Sequence, residues 1–282
     1  MSTTEALRRP ARRKVHKRHW VRFAVALVVS VAAVFPLAWM VLSSFKRSDE
    51  VMSTDLVPHH ATLANFTYVF TQVPFLRYLF NSLIVAIVVT VVALFFHSMA
   101  GYALARLRFP GRDTVFVMIF STLLITFPVV LVPLFLIVHT LGLLDSYAGI
   151  IIPSIFNAFG IFLLRQFYLG LPKELEEAAI VDGCGYWRVY WKVVVPLSRP
   201  VFAALAVLFF LANWNAFLWP LVVTTNTDLS LVQVGVAAFQ QEHQADWNYS
   251  LAASTIAALP TLGIFVLFQR RIVESIKTSG FK

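Results

Sequence analysis

The sequence predicts an all-α, polytopic membrane protein with six transmembrane helices and a cytoplasmic helix-turn-helix loop, and three observations carry that prediction. Hydrophobic residues fill 59% of the 282 positions and charged residues only 13%, about half the share usual in a soluble domain. Six stretches, 23–42, 81–101, 114–138, 148–164, 201–223 and 251–268, hold no Asp, Glu, Lys or Arg. Each has a length within the roughly 17 to 25 residues that cross a bilayer core as a helix. The basic residues also sort by loop: twenty of the 23 Lys and Arg fall in alternate segments, leaving only Lys46, Arg47 and Arg77 on the opposite side. By the positive-inside rule this asymmetry predicts a multi-pass protein of the cell membrane with both termini cytoplasmic.

The elements follow in order. Residues 1–22 form a basic arm carrying Arg8, Arg9, Arg12, Arg13, Lys14, Lys17, Arg18 and Arg22, and residues 23–282 form one six-helix membrane domain. The first apolar run continues past the small residues Ser30-Val31-Ala32 to Met40, which is too long for the apolar region of a cleaved signal and predicts a retained anchor. Five spans contain proline, at Pro36, Pro128, Pro133, Pro153, Pro220 and Pro260. Proline is tolerated in membranes where neighbouring helices satisfy the freed backbone groups, so kinked helices are expected. His97, at the cytoplasmic end of the second span and without a partner cluster, fits polar packing better than metal ligation. Cys184 is the only cysteine, which excludes an intrachain disulfide or a cysteine zinc cluster.

Several function classes are excluded by what the chain lacks. The net charge of +9 is confined to loops in the pattern of membrane topology, so no nucleic-acid partner is expected. The spans hold no carboxylate with which to bind a coupling proton or sodium ion. No Gly-Lys pair exists anywhere, so the phosphate loop of a nucleotide hydrolase is missing, and no Gly-x-Ser-x-Gly elbow marks a nucleophile. No catalytic residue, cofactor or metal is assigned. The connecting segments are too short for a fused soluble domain, and any ATPase must be another chain.

The informative segment is the predicted cytoplasmic loop 171–196. Pro172 suits a first helical position, Glu174, Glu176 and Glu177 complement the helix dipole, and Gly183 can leave the helix through a left-handed turn. One helix is expected from about Pro172 to Asp182 and a second from Tyr186 to just before Pro196. Together they would present Leu175, Ala178, Ala179 and the aromatics Tyr186, Trp187, Tyr190 and Trp191 to the membrane interface or to a protein partner.

Glu177-Ala178-Ala179, then Asp182 and Gly183, then Pro196, resembles the EAA loop of carbohydrate ABC-importer permeases of the maltose-permease G-subunit type. Segments 65–81, 102–112 and 214–223 and the tail from Gln269 are also similar, so the resemblance covers nearly everything after the arm. Val193 and Val195 replace the usual Ile and Leu, and Ser279-Gly280-Phe281-Lys282 replaces the usual glycine-ending tail. The resemblance implies a second, homologous permease subunit, two cytoplasmic ABC ATPase subunits and an extracytoplasmic sugar-binding protein as partners. It also implies that Glu177, Ala178, Ala179, Asp182, Gly183 and Pro196 couple the membrane domain to the ATPases, with Glu177 accepting a charge-assisted hydrogen bond from an ATPase cation.

Asn213, Trp214 and Asn215 fall in the fifth apolar stretch. Amides there can bind sugar hydroxyls and an indole can stack on a sugar face, and both can equally pack helices together. Helix packing is the more economical reading. An ion-coupled or passive secondary transporter of a small polar solute shares the hydropathy, yet it has no use for the 171–196 helix pair.

Overall fold

The computed structural model describes residues 15–242 and 247–279, and every regular element among them is helical. Arg8, Arg9, Arg12, Arg13 and Lys14 of the arm lie outside the described residues, as do positions 280–282 of the tail.

Helix α1 (Val15–Ser43) leads through a polar loop to the short α2 (Ala64–Thr71) and then to α3 (Phe75–Arg106). The bundle is organised around α3, which packs most extensively against the later helices α6 (Tyr147–Ile155), α7 (Ala158–Leu169) and α11 (Arg199–Trp214). Its buried face runs the whole length of the helix, from Tyr78 and Ser82 through Val89 to Tyr102 and Ala105. Between α3 and α6 lie α4 (Arg112–Ser121) and α5 (Phe127–Thr140), while α12 (Leu218–Val223), α13 (Val232–Glu242) and α14 (Trp247–Ser279) complete the chain. Helix α14 closes the bundle against α11, α13 and α2.

Among the described residues four segments are long and apolar enough to cross a membrane: Arg22–Ser43, Phe75–Arg106, Tyr147–Leu169 and Trp247–Phe268. The number rises to six when each of two bent pairs counts as one span. The third stretch is one such pair, Arg112–Leu124 with Phe127–Thr140, bent by 106°. Thr126 is extended at ψ 145° and Pro128 stands in the first turn of α5; proline lacks the N–H needed to continue a helix but is well suited to begin one. The fifth stretch is also divided. Helix α11 ends at Trp214 and α12 starts at Leu218, with Pro220 again in the first turn. Helix α11 reaches spanning length only when counted together with the upstream segment Tyr186–Leu197, from which it bends by 75°. By contrast, Pro36 and Pro260 sit inside unbroken helices.

The fourth span breaks at Phe156–Asn157 and the break is held by side chains. Asn157 caps α7 by accepting from the Phe159 and Gly160 amides at 3.0 and 3.3 Å. Its own amide donates to His97 Nε2 at 3.1 Å. His97 is buried and meets Phe209 edge-on, so it has the polar packing role expected of it.

Two further polar networks fix the loops beyond the helix ends. Lys46 is fully buried: its Nζ donates to the Asp55 carbonyl at 2.5 Å and lies 5.0 Å from the Trp39 ring centroid. Asn65 Nδ2 donates to the Ser44 and Lys46 carbonyls, and Asn65 Oδ1 accepts from Asn248 at 2.8 Å. Near α6, the Asp145 carboxylate accepts from the Asn226 amide and from the amide and hydroxyl of Thr225. Those bonds, the Asn226 amide foremost, hold Asp145 below the usual carboxylate range.

Candidate coupling site

Helix α8 (Glu174–Val181) carries Glu174, Glu176 and Glu177 in its first turn, where negative charge is favoured by the exposed backbone N–H groups. It begins two residues later than Pro172 because Lys173 occupies the cap position. Its end is a Schellman turn: Gly183 N–H donates to Ile180 O and Cys184 N–H to Ala179 O, both at 2.9 Å. Gly183 has φ +81°, a left-handed conformation that glycine adopts without the clash a Cβ would introduce.

The turn leaves Glu177, Ala178, Asp182 and Gly183 exposed together with Leu175, Ile180 and Val181. Val181 is 87% accessible. The α8 helix therefore shows an acidic and apolar outer surface. Ala179 differs from the sequence expectation, since it turns inward and packs with Cys184 against a buried cluster containing Tyr168, Val189 and Tyr190. Tyr190 is likewise buried rather than presented; its hydroxyl lies 2.5 Å from Ser98 Oγ on α3. Tyr186, Trp187 and Trp191 remain exposed.

The second loop helix also differs from expectation, because it does not stop before Pro196. Helix α9 (Tyr186–Val189) runs into a π-helical turn over Tyr190–Val194 and on through α10 (Val195–Leu197). The Val195 amide donates to Tyr190 O, five residues back. A regular α-helix would force the proline ring against the carbonyl four residues earlier, and the wider π turn relieves that conflict. Pro196 thus lies exposed within the continuing helix.

A buried ion pair, which no local spacing announces, ties α8 to the bundle. Arg106, in the last turn of α3, brings Nε to 2.9 Å from Glu176 Oε1. The same guanidinium donates to the Leu171 carbonyl at 2.5 Å, and Tyr102 Oη donates to Glu176 Oε2 at 3.4 Å. Burial pushes the Glu176 carboxyl above its ordinary range, while the Arg106 charge pulls it down.

The three residues of the fifth stretch occupy different settings. Trp214 is 2% exposed, donates its indole N–H to Ala257 O at 3.0 Å and stacks on Phe210, so in this conformation it packs α11 onto α14. Asn213 Nδ2 is satisfied by the Phe209 carbonyl of its own helix. Asn215 is exposed, and its Oδ1 accepts from Gln233 at 3.1 Å.

With this geometry in place, the model for the binding-protein-dependent transport system inner membrane component family matches residues 97–277, a region that includes the entire α8–α10 loop. The chain belongs to that family. It is 37% identical over 259 residues to the arabinooligosaccharides transport system permease protein AraQ of Halalkalibacterium halodurans, covering 90% of this chain and 93% of that one. It is 34% identical over 269 residues to the diacetylchitobiose uptake system permease protein NgcG of Streptomyces coelicolor, covering 93% and 88%. Its fold matches a chain of a bacterial ABC transporter involved in the import of alginate, with a TM-score of 0.80 at 23% identity over 93% of this chain and 99% of that chain. Family membership and several apolar helices together make this a multi-pass membrane permease.

Proposed function

We propose that this permease is one of two homologous membrane subunits of an ATP-driven importer for a sugar or sugar derivative. The observation that carries the reading is the exposed α8 helix, closed by the left-handed turn at Gly183 and joined to the bundle behind it. In this reading the 1–22 arm, both termini and the 171–196 loop lie in the cytoplasm, and the 23–282 domain crosses the bilayer. Helix α8 enters a cleft on one of two ABC ATPase subunits, where Glu177 accepts a charge-assisted hydrogen bond and Ala178 allows close approach. Closure of the ATPase dimer pushes on α8 and reorients the two membrane halves. The chain itself does not hydrolyse ATP in this reading, since it lacks the Gly-Lys phosphate loop.

An extracytoplasmic binding protein would deliver the solute, in keeping with the family description. The names of the two relatives, one for arabinooligosaccharides and one for diacetylchitobiose, support a carbohydrate. Within this chain the exposed Asn215–Gln233 amide pair offers donors and acceptors suited to sugar hydroxyls. The ion-coupled alternative is not favoured, because it gives α8 no task.

Orientation is tested by reporter fusions. A fusion after Lys192 and one at the C-terminus are expected to report cytoplasm, and one near Thr62 the outside. An outside signal at Lys192 would defeat the coupling reading, which requires that loop to meet a cytoplasmic ATPase.

A further inference from the structure

Helix α8 is short and mostly exposed, so a push on it does work on the membrane domain only through the few groups that join it to long helices. The principal polar junction is at Arg106. This residue ends α3, the helix that packs against α6, α7 and α11, and its guanidinium holds both Glu176 on α8 and the Leu171 carbonyl at the start of the loop. The side chains of Arg106 and Glu176 are 6% and 12% exposed. The contact with Glu176 is a close ion pair at Nε and the contact with Leu171 a hydrogen bond from Nη2, so one rigid planar group joins two points of the loop, which the single point charge of a lysine does not.

We infer that Arg106 is a positioning residue for transport: with Glu176 it forms a strut that transmits movement of the coupling helix to α3. Tyr102, one turn earlier on α3, supports the far carboxylate oxygen. The strut is distinct from the exposed residues Glu177 and Gly183, which would face the ATPase. It explains why one acid of the first turn, Glu176, points into the protein while Glu174 and Glu177 stay outside. The inference rests on the coupling role proposed for α8.

The test uses the complete importer in proteoliposomes, with both permease subunits, the ATPases and loaded binding protein, and measures solute imported per ATP hydrolysed. Arg106→Gln and Glu176→Gln preserve size and remove one charge each. Both are expected to retain ATP hydrolysis and lower the import-to-hydrolysis ratio by about tenfold, within the range usual for coupling between sites. Arg106→Lys, which keeps the charge but loses the fork, should recover part of the ratio. An unchanged ratio in both neutral variants would overturn the strut, as would a parallel fall of both activities with loss of ATPase co-purification, which marks a purely structural contact. If the wild-type assembly imported solute without ATP, the coupling reading itself would fail before any variant was compared.

Discussion

Replacing Gly183 by Arg, or Glu177 by Lys, is expected to abolish solute uptake while leaving the protein at normal abundance in the membrane. The two changes act on different physical terms. At Gly183 any L-residue must adopt φ +81°, at a cost of about 1–2 kcal/mol. No heavy atom lies within 4 Å of a Cβ built there, so a methyl group finds open space, whereas an arginine adds bulk and charge to the face proposed to dock on the ATPase. Glu177→Lys keeps a long polar side chain on an exposed helix turn but replaces an acceptor with a charge that repels the expected ATPase cation. Gly183→Ala separates strain from bulk and should retain more uptake than Gly183→Arg. The measurement is uptake normalised to membrane abundance; wild-type rates for both charged variants would remove α8 from the mechanism.

The second large effect is on folding and lies in the bundle. Gly160 stands in the first turn of α7, where a Cβ would collide with the buried Phe209 ring and come within 2.7 Å of His97 Nδ1. Gly160→Val should therefore destabilise the junction of α3, α7 and α11 by about 1–3 kcal/mol, the usual range for overpacking, and more if the His97 support of the span break is lost. Gly263→Val, on an exposed part of α14 with nothing within 4 Å of its Cβ, is the control. Thermal unfolding of the detergent-solubilised protein should show a lowered midpoint for Gly160→Val and little change for Gly263→Val. Equal midpoints would show that the α3–α7 packing is looser than described.

Much of the architecture was legible because membranes leave a coarse signal. Charge-free stretches of spanning length located the apolar segments, and the acids and glycine of α8 marked its start and end, including the left-handed turn. The breaks were less legible. Proline at 128, 153 and 220 lies at or near divided spans, whereas Pro36 and Pro260 lie in continuous helices. Composition reports where a helix can break, and packing decides where it does. Pro196 was misread as a stop because a π turn, which has no sequence period of its own, lets the helix pass through it.

The inward faces were the other gap. Ala179 and Tyr190 look available on a helical wheel, yet Tyr190 finds Ser98 on α3 and Ala179 packs beneath the Schellman turn. Arg106 and Glu176 are 70 positions apart in the sequence, and each reads locally as an ordinary helix-terminal charge. Only the close approach of α3 and α8 makes them a buried pair. Trp214 similarly carries two readings until Ala257 is seen to receive its N–H.

The central claim is that ATP hydrolysis by partner subunits drives solute through a pathway this chain helps to form. The most direct measurement is import into proteoliposomes containing this permease, its homologous partner and two ATPases, with and without sugar-loaded binding protein. Import and hydrolysis should both require the whole assembly, and loaded binding protein should accelerate hydrolysis by favouring the ATP-competent state over the resting one. This permease alone should neither hydrolyse ATP nor move solute. Solute movement through vesicles containing only this chain, driven by an ion gradient and indifferent to ATP, would contradict the account and restore the secondary-transporter reading.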